Sequence, residues 1–351
     1  MKLTVIVTVY NIAEYLPRFF DAMAKQTYRD FVLLVIDDGS EDNSLEICRQ
    51  YADRDPRIEL VPSKHLGIAG IKNFAMEHIR TEFTAYVDGD DYVEPDYLKH
   101  LMDAQAKYDA DLVISRVQYL LENGAVEGEF RSRGELLITK EEFADRLPML
   151  LDDRRLNYLY AKVYRSSLLK DLRVESDVRQ GMDTMFNFRY IERANSIVLI
   201  DDLDYHYIRY SSRSITSYSG DDAYQRICRI NRFVYDRSKE MGVLTDDMLA
   251  VIDSRVLQSA GWVIDKILAS ANDDGVKARQ IDGILNDPFY TQAYARQKNR
   301  GTSLSFEIID PQTGEGYLLK KQKIKETQNR KARILSKTPG FIVKIYHSIK
   351  K

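Results

Sequence analysis

Two hydrophobic periods alternate along the first third of the chain. Thr4 to Val9 is an unbroken apolar and β-branched run, and Leu16 to Ala24 places apolar residues at helical spacing, so a strand precedes a helix. The same pair recurs in Phe31 to Ile36 with Ser44 to Tyr51, in Ile58 to Val61 with Ile71 to Ile79, and in Thr84 to Val87 with Asp96 to Lys107. Repeated strand and helix units of this kind predict an α/β fold, a Rossmann-like and mostly parallel sheet flanked by helices. Sheets of this type bind ligands beyond the carboxyl ends of their strands, so the loops after strands one, two and four should face one crevice.

Those loops hold the polar residues of interest. The fourth strand stops in Asp88-Gly89-Asp90-Asp91, where clustered carboxylates at a buried strand end call for a compensating charge, and a divalent cation with oxygen ligands supplies it. The first loop, Thr8-Val9-Tyr10-Asn11, has no glycine before Gly39, which argues strongly against a dinucleotide-binding Gly-x-Gly-x-x-Gly turn. Tyr10 instead offers a ring on which a nucleobase can stack. The second strand runs into Asp37-Asp38-Gly39-Ser40; one of the acids can accept the imide hydrogen of uracil, or the group can simply form a turn and helix cap. In the third loop Gly67 and Gly70 open a helix, so backbone amides and Lys72 can approach phosphates, with a plain turn as the alternative.

In this order, Val5-Ile6-Val7-Thr8-Val9-Tyr10-Asn11, Asp37-Asp38-Gly39-Ser40, Gly67-Ile68-Ala69-Gly70-Ile71-Lys72-Asn73 and Asp88-Gly89-Asp90-Asp91 resemble family 2 glycosyltransferases of the GT-A fold. The likeness extends over about residues 3 to 217, through Tyr158 to Leu169 and Gly181 to Phe188. It implies that Thr8, Tyr10 and Asp38 hold the uridine of a UDP-sugar, that Gly67 and Lys72 lie at the donor, and that Asp88 and Asp90 form an Asp-x-Asp element. Asp90 is then the direct ligand of Mn2+ or Mg2+, with Asp88 beside it, and Asp91 contacts donor or acceptor or caps the segment before Pro95. Lys72 stands where the family more often has arginine. The family's Gly-Glu-Asp element reads Gly181-Met182-Asp183 here, which leaves Asp183 as the implied catalytic base and puts Met182 in place of the glutamate. Tyr205 to Ser214 resembles the segment that closes over the diphosphate, placing His206, Arg209 and Arg213 near phosphate.

The implied chemistry is one inverting displacement. A metal neutralises the departing diphosphate while a carboxylate removes the proton of an acceptor hydroxyl, whereas a glycosidase needs a second carboxyl as acid. Two other readings stay open: a non-catalytic nucleotide-sugar-binding relative, supported by Met182, and a sugar nucleotidyltransferase, which would want a glycine-rich basic loop after strand one.

Composition then sets the limits. The chain has 351 residues, 44% of them apolar, enough for about two domains with sizeable cores. Neither an apolar run of about 18 residues nor a leader pattern occurs, so a cytoplasmic protein is expected. Cys48 and Cys228 lie in helical patterns away from other ligands and read as small buried hydrophobes. The boundaries drawn from these patterns are a catalytic domain at 1–217, a helical appendage at 218–319 and a basic amphipathic tail at 320–351. Ala223 to Met241 and Asp246 to Leu268 are its helices, and the region suits either a lid or the assembly surface of a homo-oligomer.

Charge distinguishes the tail. From Lys320 to Lys351 eleven Lys or Arg face the single acid Glu326, a surplus of +10, so with a net charge of -3 the rest carries -13. Such a segment suits an anionic membrane surface at the inner face of the cell membrane, where it would bring the enzyme to a lipid-linked or glycan acceptor; the alternative is packing on the acidic body. Nucleic acid is ranked below both, because aromatic residues are sparse in the tail.

Overall fold

The computed structural model describes residues 2–175, 181–210, 222–301, 309, 317 and 321. The tail at 320–351 apart from Lys321, and Arg213, lie outside the described residues. The first strand and helix pairs are β1 (Leu3–Val9), α1 (Leu16–Ala24), β2 (Phe31–Asp37), α2 (Ser44–Ala52), β3 (Ile58–Pro62), α3 (Gly67–Glu77) and β4 (Phe83–Tyr86). After them come β5 (Tyr92–Val93), α4 (Tyr97–Tyr108), β6 (Leu112–Ile114), β7 (Val117–Leu121), β8 (Val126–Glu129) and β9 (Leu136–Thr139). The chain continues through α5 (Phe143–Asp152), β10 (Lys162–Arg165), α6 (Met182–Arg193), β11 (Ser196–Leu199) and β12 (Tyr205–Arg209). Four helices end the described chain: α7 (Ala223–Glu240), α8 (Asp246–Ala269), α9 (Asp274–Leu285) and α10 (Pro288–Arg300).

The main sheet runs in the order β3-β2-β1-β4-β10-β6-β11-β9. Its first four strands are parallel, and β2, β1 and β4 are buried almost throughout, as their apolar runs require, while β3 lies partly exposed at the edge. Beyond β4 it becomes mixed, because β10 enters antiparallel between β4 and β6 and β9 closes the edge antiparallel to β11. A second sheet, β5-β12-β7-β8, was not expected from the pattern. Its strands are short, and β7 and β12 carry tyrosines and charges where the first strands carry aliphatic runs.

The third helix differs instructively from its expected span. It begins at Gly67 rather than near Ile71, and its N-cap residue, Leu66, has no capping side chain. Asp38, at the end of β2, supplies the missing acceptors: Leu66 N–H donates to Oδ1 at 2.6 Å and Gly67 N–H to Oδ2 at 3.1 Å. A cap delivered from another loop leaves no local signature before the helix.

Two compact units emerge. One comprises Met1–Tyr218 with Arg226–Ile252, and the other Ser219–Gln225 with Asp253–Lys351. The core of the first packs β1, β2 and β4 against α1 and α4, with Val5, Val7, Phe19, Leu33, Val87 and Leu101 almost fully buried. In the second, Asp253 is 1% exposed and is held by Arg296 Nη2 at 2.7 Å and Arg300 Nη1 at 2.7 Å. Cys48 and Cys228 are both buried free thiols. No helix among the described residues is long and apolar enough to cross a membrane.

Candidate active site

The carboxyl ends of β1 and β2 are stitched together by short polar contacts. Asn11, at φ 52°, accepts Glu41 N–H through Oδ1 at 2.8 Å, and Ser40 Oγ accepts Asn11 N–H at 3.1 Å. Asp37 Oδ2 accepts the N–H groups of Gly39 and Ser40, both at 3.1 Å, and so makes the turn. Asp38 is 3% exposed and caps α3, while His65 Nδ1 lies 3.2 Å from its Oδ2. Tyr10 is 43% exposed, and its ring centre is 4.5 Å from that of His65. Tyr10, Asp38 and Gly67 are therefore joined through His65 and the Asp38 cap, with Thr8 beside Ile36 in the adjoining strands, and Leu66 and Ile68 add exposed apolar surface.

At the end of β4 the acidic turn is shaped by close packing. A Cβ on Gly89 would stand 2.7 Å from Ile12 Cδ1 and 3.2 Å from Val7 Cγ2, so no side chain fits between the flanking aspartates. Asp88 is exposed at the end of the strand, yet the protein packed around it limits its hydration. This loss of hydration raises its carboxyl to about 7; the Asp90 and Asp183 charges add to the rise and Lys72 opposes it. Asp91 is 1% exposed with both oxygens engaged, accepting Tyr205 O–H at 2.6 Å and Ile208 N–H at 2.9 Å. Burial first, and then Asp88 and Asp90, push its carboxyl up as well. Asp91 thus ties β12 to the turn, which is a contact within the protein.

Lys72 connects this turn to α6. Its Nζ donates to Asp183 Oδ1 at 2.7 Å, and although burial works against its charge, the Asp183 and Asp88 carboxylates hold the ammonium above its ordinary value. Asp183 lies in the first turn of α6, where the helix dipole favours an acid. Gly181 begins that helix at φ 72°, and a Cβ there would come 2.1 Å from Ile230 Cδ1, so both backbone and packing require glycine. Met182 is 7% exposed and anchors the helix start in apolar packing.

The remaining expected phosphate ligands face elsewhere. His206 has both ring nitrogens engaged, Nε2 3.0 Å from Glu94 Oε1 and Nδ1 3.2 Å from Gln118 Oε1. Arg209 Nη1 pairs with Glu127 Oε1 at 2.5 Å. These partners belong to the small sheet, so in this structure neither side chain joins Lys72 and the acidic turn.

Several residues near the site had not been singled out. Arg18 Nη2 donates to the Asp90 carbonyl at 2.6 Å and to Tyr210 Oη at 2.8 Å, and Tyr210 donates to the same carbonyl at 3.0 Å. Lys162 is 1% exposed and donates through Nζ to the carbonyls of Tyr158 at 2.8 Å and Tyr160 at 3.1 Å. Its signal was visible as a lysine set between alternating apolar residues in Tyr160-Ala161-Lys162-Val163-Tyr164.

A sheet whose parallel half ends in clustered carboxylates, with a lysine between them and a second acid on α6, is the arrangement of a glycosyltransferase of the GT-A type. Residues 4–172, just under half of the chain, match the family model for glycosyl transferase family 2. Glycosyltransferase GlyA of Streptococcus pneumoniae is 34% identical over 113 residues, which are 32% of this chain and 16% of that protein. The uncharacterized glycosyltransferase EpsJ of Bacillus subtilis is 26% identical over 215 residues, 61% of this chain and 62% of the relative. These matches span less than two thirds of either relative's length. Staphylococcus aureus TarS residues 1–349, solved in complex with UDP-GlcNAc, superposes with a TM-score of 0.60 at 20% identity, covering 89% of this chain and 95% of that one. That likeness shows the fold.

Proposed function

We propose that this chain transfers a sugar from a UDP-sugar to a hydroxyl of a cell-surface glycan or lipid-linked acceptor, in one metal-dependent, inverting step. One observation carries the reading: Lys72 bonds Asp183 while its charge reaches Asp88, so the base and the acidic turn lie within the span of a single side chain. In that arrangement an acceptor hydroxyl at Asp183 would approach a donor whose diphosphate rests at the turn.

The donor set fits a hard divalent cation. Carboxylates crowd the end of a buried strand with one lysine between them, and Asp88, raised to about 7 chiefly by loss of hydration, is raised further by the Asp90 and Asp183 charges. Asp90, with Asp88 beside it, would hold Mn2+ or Mg2+, whose charge offsets that of the departing diphosphate. Tyr10 would stack on the base, with Asp38 holding the start of α3 beside it through its cap. Lys72 would then divide its charge between diphosphate and Asp183, and Asp183 would take the acceptor proton. The relatives' printed activities support a surface polymer as acceptor, since TarS of Staphylococcus aureus is a poly(ribitol-phosphate) beta-N-acetylglucosaminyltransferase.

A thermal-shift panel of UDP-, GDP- and CMP-linked sugars with and without Mn2+ tests this. Stabilisation by UDP-sugars that grows when Mn2+ is added is expected; a panel in which no nucleotide raises the melting temperature contradicts the reading.

A further inference from the structure

A row of tyrosine rings leads out of the core toward the reacting groups. Tyr97 meets Tyr205 edge to face at 5.7 Å. Tyr205 and Tyr160 then stack at 4.6 Å and 7°, and Tyr160 and Tyr158 at 4.8 Å and 16°. Burial falls along the row, from Tyr97 and Tyr205 at 0% exposure through Tyr160 at 4% to the half-buried Tyr158. Among the described residues no further ring stacks on Tyr158, which is partly exposed and whose hydroxyl shares a hydrogen bond with Tyr119.

The position of this end matters. Tyr205 Oη accepts Asp88 N–H at 3.2 Å and donates to Asp91, which fixes the inner part of the row against the acidic turn. At the outer end Asn157 Oδ1, beside Tyr158, accepts Thr184 O–H at 3.3 Å, next to Asp183 on α6. Asn187, one helical turn after Asp183 on α6, donates to the Tyr158 carbonyl at 2.9 Å, so the outer end of the row lies beside the face of α6 that carries the candidate base.

Core packing alone would not need what holds this segment in place. Lys162, nearly fully buried, donates to the carbonyls of Tyr158 and Tyr160. Asn187, at 0% exposure, donates to the carbonyls of Leu156 and Tyr158, both at 2.9 Å, and accepts Tyr164 O–H at 2.8 Å. Burying a lysine and an amide costs free energy, and sequences break that rule mainly where a site must be held rigid. Here the buried polar groups converge on the backbone carbonyl of the outermost ring.

We propose that Tyr158 is the platform of the acceptor site, and that a pyranose ring of the acceptor adds to the row with its C–H face on the Tyr158 ring and a hydroxyl directed at Asp183. The negative face of an aromatic ring attracts the positively polarised C–H edge of a flat ring, which favours a pyranoside over an open-chain polyol or an alkyl chain. This rests on the transferase reading for the role of Asp183. The stacking site itself stands on the tyrosine row.

Saturation-transfer NMR on the full chain with UDP and Mn2+ present tests it, using methyl β-glucoside, methyl β-galactoside and methyl N-acetyl-β-glucosaminide as probes and ribitol as control. Pyranoside ring protons receive saturation and ribitol does not. Tyr158→Ala raises the pyranoside dissociation constant about tenfold, Tyr158→Phe restores it, and UDP affinity by calorimetry stays at the wild-type value in both. Equal pyranoside binding by wild type and Tyr158→Ala overturns the proposal. So does the absence of pyranoside binding in wild type, or a loss of UDP affinity in step with pyranoside affinity in Tyr158→Phe as well as Tyr158→Ala. Failure of the transferase reading shows separately, as a wild-type chain that binds a pyranoside but no UDP.

Discussion

Replacing Lys162 by methionine should change how stability depends on pH. Burial, reinforced by Arg155 and countered by Asp183, lowers the Lys162 ammonium from 10.5 to about 7. That gap corresponds to about 5 kcal/mol at about 1.4 kcal/mol per pH unit. Because the folded value lies below the unfolded one, the unfolded chain binds more protons between them. The penalty is thus fully present below about 7 and is relieved as pH rises toward 10.5. Methionine removes this dependence but also removes the donor to the Tyr158 and Tyr160 carbonyls, at a cost of about 1 kcal/mol each, while Asn187 still serves Tyr158. The slope is therefore more diagnostic than the absolute stability. Urea unfolding of both proteins at pH 7 and pH 9 should show the wild type gaining about 2 kcal/mol on Lys162→Met over that interval. Parallel curves would refute the argument that Lys162 is a buried, charge-penalised donor.

Further outcomes follow from the same geometry. Gly181→Ala should lower stability by about 2 kcal/mol in urea unfolding, since it imposes both a left-handed alanine and a clash with Ile230; unchanged stability would mean that α6 starts differently. Asp253→Ala should destabilise the helical unit by about 3 kcal/mol by leaving Arg296 and Arg300 without their buried partner, measured as loss of helical circular dichroism at lower denaturant. Arg18→Ala should raise the Mn2+ concentration needed for half-maximal UDP-sugar binding several-fold, because the Asp90 carbonyl loses its guanidinium; an unchanged titration would detach Arg18 from the site.

The parallel half of the fold was legible because β1, β2 and β4 are buried on both faces, which writes itself as an apolar run, while the edge strand β3 is partly exposed. Past β4 that signal weakens. The strands shorten, one enters antiparallel, and the second sheet is held by tyrosines such as Tyr119, Tyr205 and Tyr207, whose rings fit helix, strand or loop alike. The candidate site divides in the same way. Asp88, Asp90 and Asp183 stand in compact motifs, whereas the contacts of Asp38 with Leu66 and Gly67 and of Lys72 with Asp183 join residues far apart in sequence, so pattern could name their types but not their partners. Asp91 shows the limit most clearly. Its neighbours suggest a ligand contact, yet Tyr205 and Ile208 occupy its oxygens from over a hundred positions away.

The most direct test is Asp183→Asn, a substitution that keeps the shape of the side chain and an oxygen for Lys72 while removing the carboxylate proposed as the base. Transfer measured as acceptor-dependent UDP release should fall by about 10²- to 10⁴-fold, with UDP affinity by calorimetry within about threefold of wild type. Near wild-type transfer by that variant would contradict the assignment of Asp183 and the mechanism built on it.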